Sequence, residues 1–160
     1  MDMPNPAIPE GFVPFPINIG FVDLIGPLYM KPADPEGVIG FLVEDKHVNP
    51  VGICHGGMLM AVADMAVGFA SLTESGRKVF PPSINNTFDF LAVGKLGDWL
   101  ETKVTFVKTT GSMGFADGII HSNGDPIVRF NGICKLPKDN DPRFTRKDNN
   151  DKVLKAVHGD

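Results

Sequence analysis

Asn49-Pro50-Val51-Gly52-Ile53-Cys54-His55-Gly56-Gly57 runs straight into Met58-Leu59-Met60-Ala61-Val62-Ala63-Asp64. The first nine residues are polar or turn-forming. The rest is apolar up to one acid, and the apolar run resumes as far as Leu72. A loop therefore feeds the N-terminus of a buried helix, which the pattern places from Gly56 to about Thr73. On a 100° wheel Leu59, Val62, Ala66 and Phe69 occupy one side, and Ala63, Val67 and Ala70 another. Apolar residues around the whole axis mark a helix enclosed by protein. Asp64 sits in the middle of it. An unpaired carboxylate there carries a large desolvation penalty, so Asp64 is the residue to explain.

After Gly76 the periodicity changes from helical to alternating. Ser83 to Val93, Trp99 to Thr110, Met113 to Ser122 and Ile127 to Leu136 read as strands. Gly94-Lys95-Leu96-Gly97-Asp98, Thr110-Gly111-Ser112 and Asn123-Gly124-Asp125-Pro126 read as the turns between them, which predicts antiparallel neighbours. Before the helix, Val38 to His47 reads as a strand, Leu28-Tyr29-Met30 as the start of another, and Ile17 to Ile25 as a short helix. Lys31 to Gly37 is a turn-rich connection. Residues 1–16 hold five prolines and are expected to lie as an arm over the surface. Residues 138–160 are polar, mixed in charge and expected to be a mobile tail. The sum is an α+β domain over residues 1–137, one twisted antiparallel sheet around one long buried helix. Such a sheet leaves an edge and a helix face short of cover, so self-association is expected.

Composition narrows the function classes. With 160 residues and 42% hydrophobic content the chain suits one globular domain. A net charge of −4 without a Lys/Arg block argues against nucleic acid as a partner. No stretch reads as a membrane span, and the proline-rich, acidic start is unlike a signal peptide. Cys54 and Cys134 then read as reduced thiols of a cytoplasmic protein. The histidines at 47, 55, 121 and 158 lack metal-ligand spacing, so no metal and no separate cofactor are expected.

The pattern Asn-x-x-Gly-x-x-His-Gly-Gly, with an acid seven residues after the last glycine, resembles the hotdog-fold acyl-CoA thioesterases. The group it resembles most is that of the 4-hydroxybenzoyl-CoA and phenylacetate-degradation (PaaI-like) enzymes. Asn49, Gly52, His55, Gly56, Gly57 and Asp64 carry the motif, and the resemblance extends over roughly residues 20 to 137. Pro82-Ser83-Ile84, Leu96-Gly97-Asp98 and the hairpin around Gly111 echo it more weakly. It implies hydrolysis of an acyl-CoA thioester in a homodimer or dimer of dimers with sites between subunits, coenzyme A being part of the substrate.

The residues suit that chemistry on their own terms. The Gly57 amide, at a helix N-terminus, can donate to a developing oxyanion, and glycine admits a close acyl group. A thiol with a pKa of about 8.5 leaves with little acid assistance. Asp64 can then activate water or attack the carbonyl itself, and the sequence leaves both open. Seven residues set Gly57 and Asp64 about 10 Å apart along the axis, too far for one carbonyl carbon. An antiparallel helix from a second chain would bring Asp64 of one copy to Gly57 of the other. The stripe Gly57-Ala61-Asp64-Gly68 leaves room on that face.

Each further candidate has a plainer reading beside the functional one. Asn49 orients water or the thioester by family precedent, and is otherwise a turn residue before Pro50. His55 is read as a hydrogen-bonded histidine shaping the loop, ahead of direct proton transfer. Ser83 holds water near the acid in the family, or merely starts a strand. Gly56 sets backbone geometry. Met58, Met60 and Met65 suit a deformable acyl pocket or ordinary core. Gly111, Ser112 and Met113 lie where the family threads pantetheine, or form a simple turn. Lys95, Lys103 and Lys108 are read as scattered surface lysines rather than phosphate ligands. A hotdog hydratase using His55 and Asp64, and a non-catalytic acyl-CoA binding protein, are the competing functions. The acyl group is not legible.

Overall fold

The computed structural model describes residues 8–16, 20–32, 38–144 and 155. The expected start of the first helix at Ile17, the heart of the 31–37 turn, the first seven residues and nearly all of 145–160 lie outside them. The elements are Val13–Pro14 (β1), Phe21–Ile25 (α1), Tyr29–Met30 (β2), Ile39–Leu42 (β3), Gly56–Ser75 (α2), Ser83–Phe90 (β4), Trp99–Thr109 (β5), Met113–Ser122 (β6) and Asp125–Lys135 (β7). All strands pair antiparallel in one seven-stranded sheet of order β1-β2-β3-β5-β6-β7-β4. α2 packs against β4, β5, β6 and β7. This is the hotdog architecture, a sheet wrapped around one long helix.

α2 begins where the glycine-rich loop ends and stops at Gly76, whose φ of 63° is the left-handed conformation that closes a helix. Its second half is buried on all sides, from Ala66 to Leu72. Its first half leaves Gly57, Met60, Ala61 and Asp64 open or half-open, a stripe at helical spacing. Gly68 does not extend that stripe as the wheel suggested. It lies beneath the Phe80 ring, 2.7 Å from where a Cβ would sit. α2 also has the length and apolarity of a membrane-crossing helix, against the reading that no stretch does. Sixty-one per cent of its most apolar window is buried inside the domain, which accounts for that apolarity as core.

The hairpins β5–β6 and β6–β7 follow the turn signals. The second is closed by Asn123 (φ 50°) and Gly124 (φ 89°), as a two-residue hairpin turn requires. The expected β4–β5 hairpin does not form. Among the described residues β4 pairs only with β7, at the far edge, and the chain then crosses to β3 and β5. Residues 94–98 bind the loop ahead of α2 instead: the Cys54 amide donates to Gly94 O at 2.8 Å, and the Gly97 amide to Val43 O at 2.8 Å.

The strand expected from Val38 to His47 ends at Leu42, because Asp45–His47 forms a 3₁₀ turn capped by Glu44. His47 is buried there, edge-on to Phe41. Its Nδ1 accepts from the Glu44 amide at 3.0 Å, so Nε2 carries the proton and donates to Ile25 O at 2.8 Å. The arm is more than a surface strap. β1 is an edge strand, Phe12 stacks edge-on against Trp99, and Phe15 is buried against Phe69. At the other end, the Lys78 amide donates to Asp139 Oδ1 at 2.8 Å, tying down the start of the polar tail.

Candidate active site

Two clusters form around α2. The first is at its N-terminus. Asn49 opens a turn with Pro50 at the second position, closed by the Gly52 amide donating to Asn49 O at 2.9 Å. Gly52 has φ 81°, which is why glycine stands there. Asn49 Oδ1 accepts from the amides of Val51 (3.1 Å) and Ile53 (3.3 Å). The side chain is thus the staple of the loop, and its Nδ2 is left to donate.

His55 is the N-cap of α2. Its Nδ1 accepts from the Gly57 amide at 2.8 Å, which in the neutral ring puts the proton on Nε2, on an exposed edge. This is the kind of hydrogen bond a loop-shaping histidine would make. The same bond also occupies the amide proposed as oxyanion donor. A Cβ on Gly57 would lie 3.0 Å from His55 Nδ1, and one on Gly56 3.2 Å from the Phe90 ring, so both glycines admit close neighbours. A cavity of about 180 Å³ opens beside them, lined by Phe21, Leu24, Ile25, His47, His55 and Met58 among others. Met58 is buried against it, whereas Met65 packs half-buried on the core and Met60 faces outward.

The second cluster surrounds Asp64. The carboxylate is half-buried, and its Oδ1 accepts from the Ser83 hydroxyl and from Asn86 Nδ2, the latter at 2.5 Å. The acid is therefore not unpaired. Both partners come from β4, and Asn86 was not singled out in the sequence. A bulge between Ser83 and Asn85 explains the missed link, because strict alternation would place residues 83 and 86 on opposite faces.

The chain does not join the two clusters. α2 is continuous from Gly56 to Ser75, so Gly57 and Asp64 stay about 10 Å apart along its axis. Gly111, Ser112 and Met113 lie farther off. Gly111 O accepts from Arg77, beyond the helix C-terminus, at 3.0 Å. Lys95 adjoins the loop through its bridge to Ile53, while Lys103 and Lys108 are exposed on β5. A cavity of about 300 Å³ lies between Ala70, Thr73 and Glu74 of α2 and Val104 to Val107 of β5, and Glu74 is the only ionisable one among the described residues that line it. Cys54 and Cys134 are both buried and free. Burial pushes the Cys54 thiol up to about 12.

A sheet around one helix, with a carboxylate in mid-helix and glycine amides at its N-terminus, is the hotdog arrangement the motif implied. Comparison with known proteins agrees. The thioesterase superfamily model matches residues 51–128. The Pseudomonas aeruginosa protein PA0474, named as an esterase, is 30% identical over 131 residues, 81% of this chain and 98% of its own. Among solved structures, a variant of the phenylacetic acid degradation protein PaaI from Thermus thermophilus superposes with a TM-score of 0.64 at 23% identity, covering 73% of this chain and 98% of its own. Zebrafish thioesterase superfamily member 2 gives 0.64 at 24%, covering 74% and 87%. A Streptococcus pneumoniae thioesterase solved with coenzyme A gives 0.58 at 20%, covering 64% and 81%. The chain belongs to the thioesterase superfamily and is a thioester hydrolase.

Proposed function

We propose that this protein hydrolyses acyl-CoA thioesters at sites shared between two copies of the chain. The observation that carries the reading is Asp64, a carboxylate fixed by two donors on an open helix stripe that ends in glycine amides. Both hydrogen bonds fall on Oδ1, leaving Oδ2 to take a proton from water. The hydroxide formed attacks the thioester carbonyl. The Gly57 amide and the helix N-terminus stabilise the oxyanion, and the thiolate of coenzyme A leaves. Direct attack by Asp64 is the variant route. For the carbonyl to reach Gly57, His55 Nδ1 must release that amide, and the exposed imidazole has room to turn. Asn49 Nδ2 would orient the water or the thioester, and Ser83 would hold the base.

The 10 Å separation supports the sharing. One antiparallel partner would bring Asp64 of one copy to Asn49, His55 and Gly57 of the other. β4 supports this, since one of its edges is unpaired among the described residues and Ile84 and Phe90 are exposed on it. A homodimer, or a dimer of dimers, is the proposed assembly. Gly111, Ser112 and Met113, remote from the catalytic groups of their own chain, would then serve the partner's substrate. The cavity beside Met58 is the proposed acyl pocket, and the two free thiols suit a cytoplasmic location. A thiol-release assay over a panel of aryl-, phenylacyl- and fatty acyl-CoAs tests the activity. Release by the wild type and not by Asp64→Asn supports it; a panel with no cleaved member overturns it.

A further inference from the structure

We propose that Asn86 is a positioning residue for Asp64, retained for the hydrogen bond its carboxamide gives the catalytic carboxylate. This rests on the reading of Asp64 as the base. Three separate features serve that one contact. First, the bulge in β4 matches two steps, from Ser83 to Asn85, against one step of β7, from Cys134 to Ile133. It re-aims the strand so that Ser83 and Asn86 both face α2 and meet Asp64 Oδ1.

Second, the strand residue paired with Asn86 is Gly132. A Cβ there would collide with Asn86 Oδ1 and stand 2.8 Å from both Val67 methyl groups. The missing side chain lets the carboxamide lie between β7 and the helix. Third, Asn86 Oδ1 is buried with no hydrogen-bond partner among the described residues. A buried carbonyl oxygen without a donor is destabilising, and leucine would fill the same space without that defect. A side chain kept for packing would not be an amide. The Nδ2 bond is the one polar contact Asn86 makes among the described side chains, so it alone offsets the orphaned oxygen.

A carboxylate held by two donors on one oxygen presents the other in a fixed direction, which matters for turnover more than for binding. The test is Asn86→Leu, with Asp64→Asn as control, measured for kcat, KM and melting temperature. The expected result is a kcat lower by about tenfold, a KM within about twofold and a melting temperature equal to or above that of the wild type. A purely structural role would instead leave kcat unchanged. Should Asn86→Leu fail to fold, Asn86→Ala removes the donor without adding a charge, and the same fall in kcat is expected. Wild-type kcat in a folded variant at residue 86, with Asp64→Asn inactive, overturns the assignment of Asn86 alone. Wild-type turnover in Asp64→Asn instead overturns the base assignment on which it stands.

Discussion

The Gly57 amide and the Asp64 carboxylate are carried by one unbroken helix, seven residues and about 10 Å apart along its axis. Each has its own local support, His55 for the amide and β4 for the carboxylate. Neither support bends the helix toward the other. The distance between two well-held groups thus becomes the main fact about the site. It makes each group a separate target for substitution.

Asp64→Asn keeps the volume and loses the basicity. Its kcat is expected to fall by about 10²-fold or more, with KM nearly unchanged. Ser83→Ala removes one of the two donors and should lower kcat by about tenfold. Steady-state kinetics on one reactive aryl thioester measure both. A Ser83→Ala loss as large as that of Asp64→Asn would mean that the hydroxyl acts directly.

His55 is predicted to matter first as a helix cap. His55→Ala should cost about 1 kcal/mol in a urea titration, whereas His55→Asn, which can accept from the same amide, should recover most of it. If His55→Asn matches wild-type stability but loses all turnover, the imidazole has a chemical role beyond shaping the loop.

Burial raises the Cys54 pKa from 9.0 to about 12, so the neutral thiol is the folded form. Only the thiolate reacts with disulfide reagents, so the native protein at pH 8 should give little colour with Ellman's reagent, and two thiols once unfolded. The stability that rests on keeping this thiol neutral is fully present below pH 9 and is lost as the pH rises toward 12. Rapid native labelling of Cys54 would show that the loop opens.

The parts legible in the sequence were those set by local chemistry. The helix read from Gly56 to about Thr73 announces itself by its apolar wheel and its terminal glycines, and Asn49 by the turn residues that follow it. The parts hidden depend on contacts between distant residues. Asn86 escaped because a bulge suspends the alternation on which strand reading relies. The edge position of β4 escaped because pairing with β7 outweighs sequence neighbourhood, leaving residues 94–98 to brace the loop ahead of α2. Phe15 escaped because the prolines around it argued for a strap, and only the fold supplies Phe69 as its partner.

Subunit complementation tests the shared site most directly. Asn49→Ala and Asp64→Ala, each inactive alone, are co-expressed with different tags and the heterodimer is purified through both. If a site takes Asn49 and Gly57 from one chain and Asp64 from the other, one site in the heterodimer carries both defects and its mate none. Activity should then return to roughly half the wild-type value. If all three residues served a site within one chain, every site would keep one defect. A pure heterodimer no more active than its inactive parents would contradict the account.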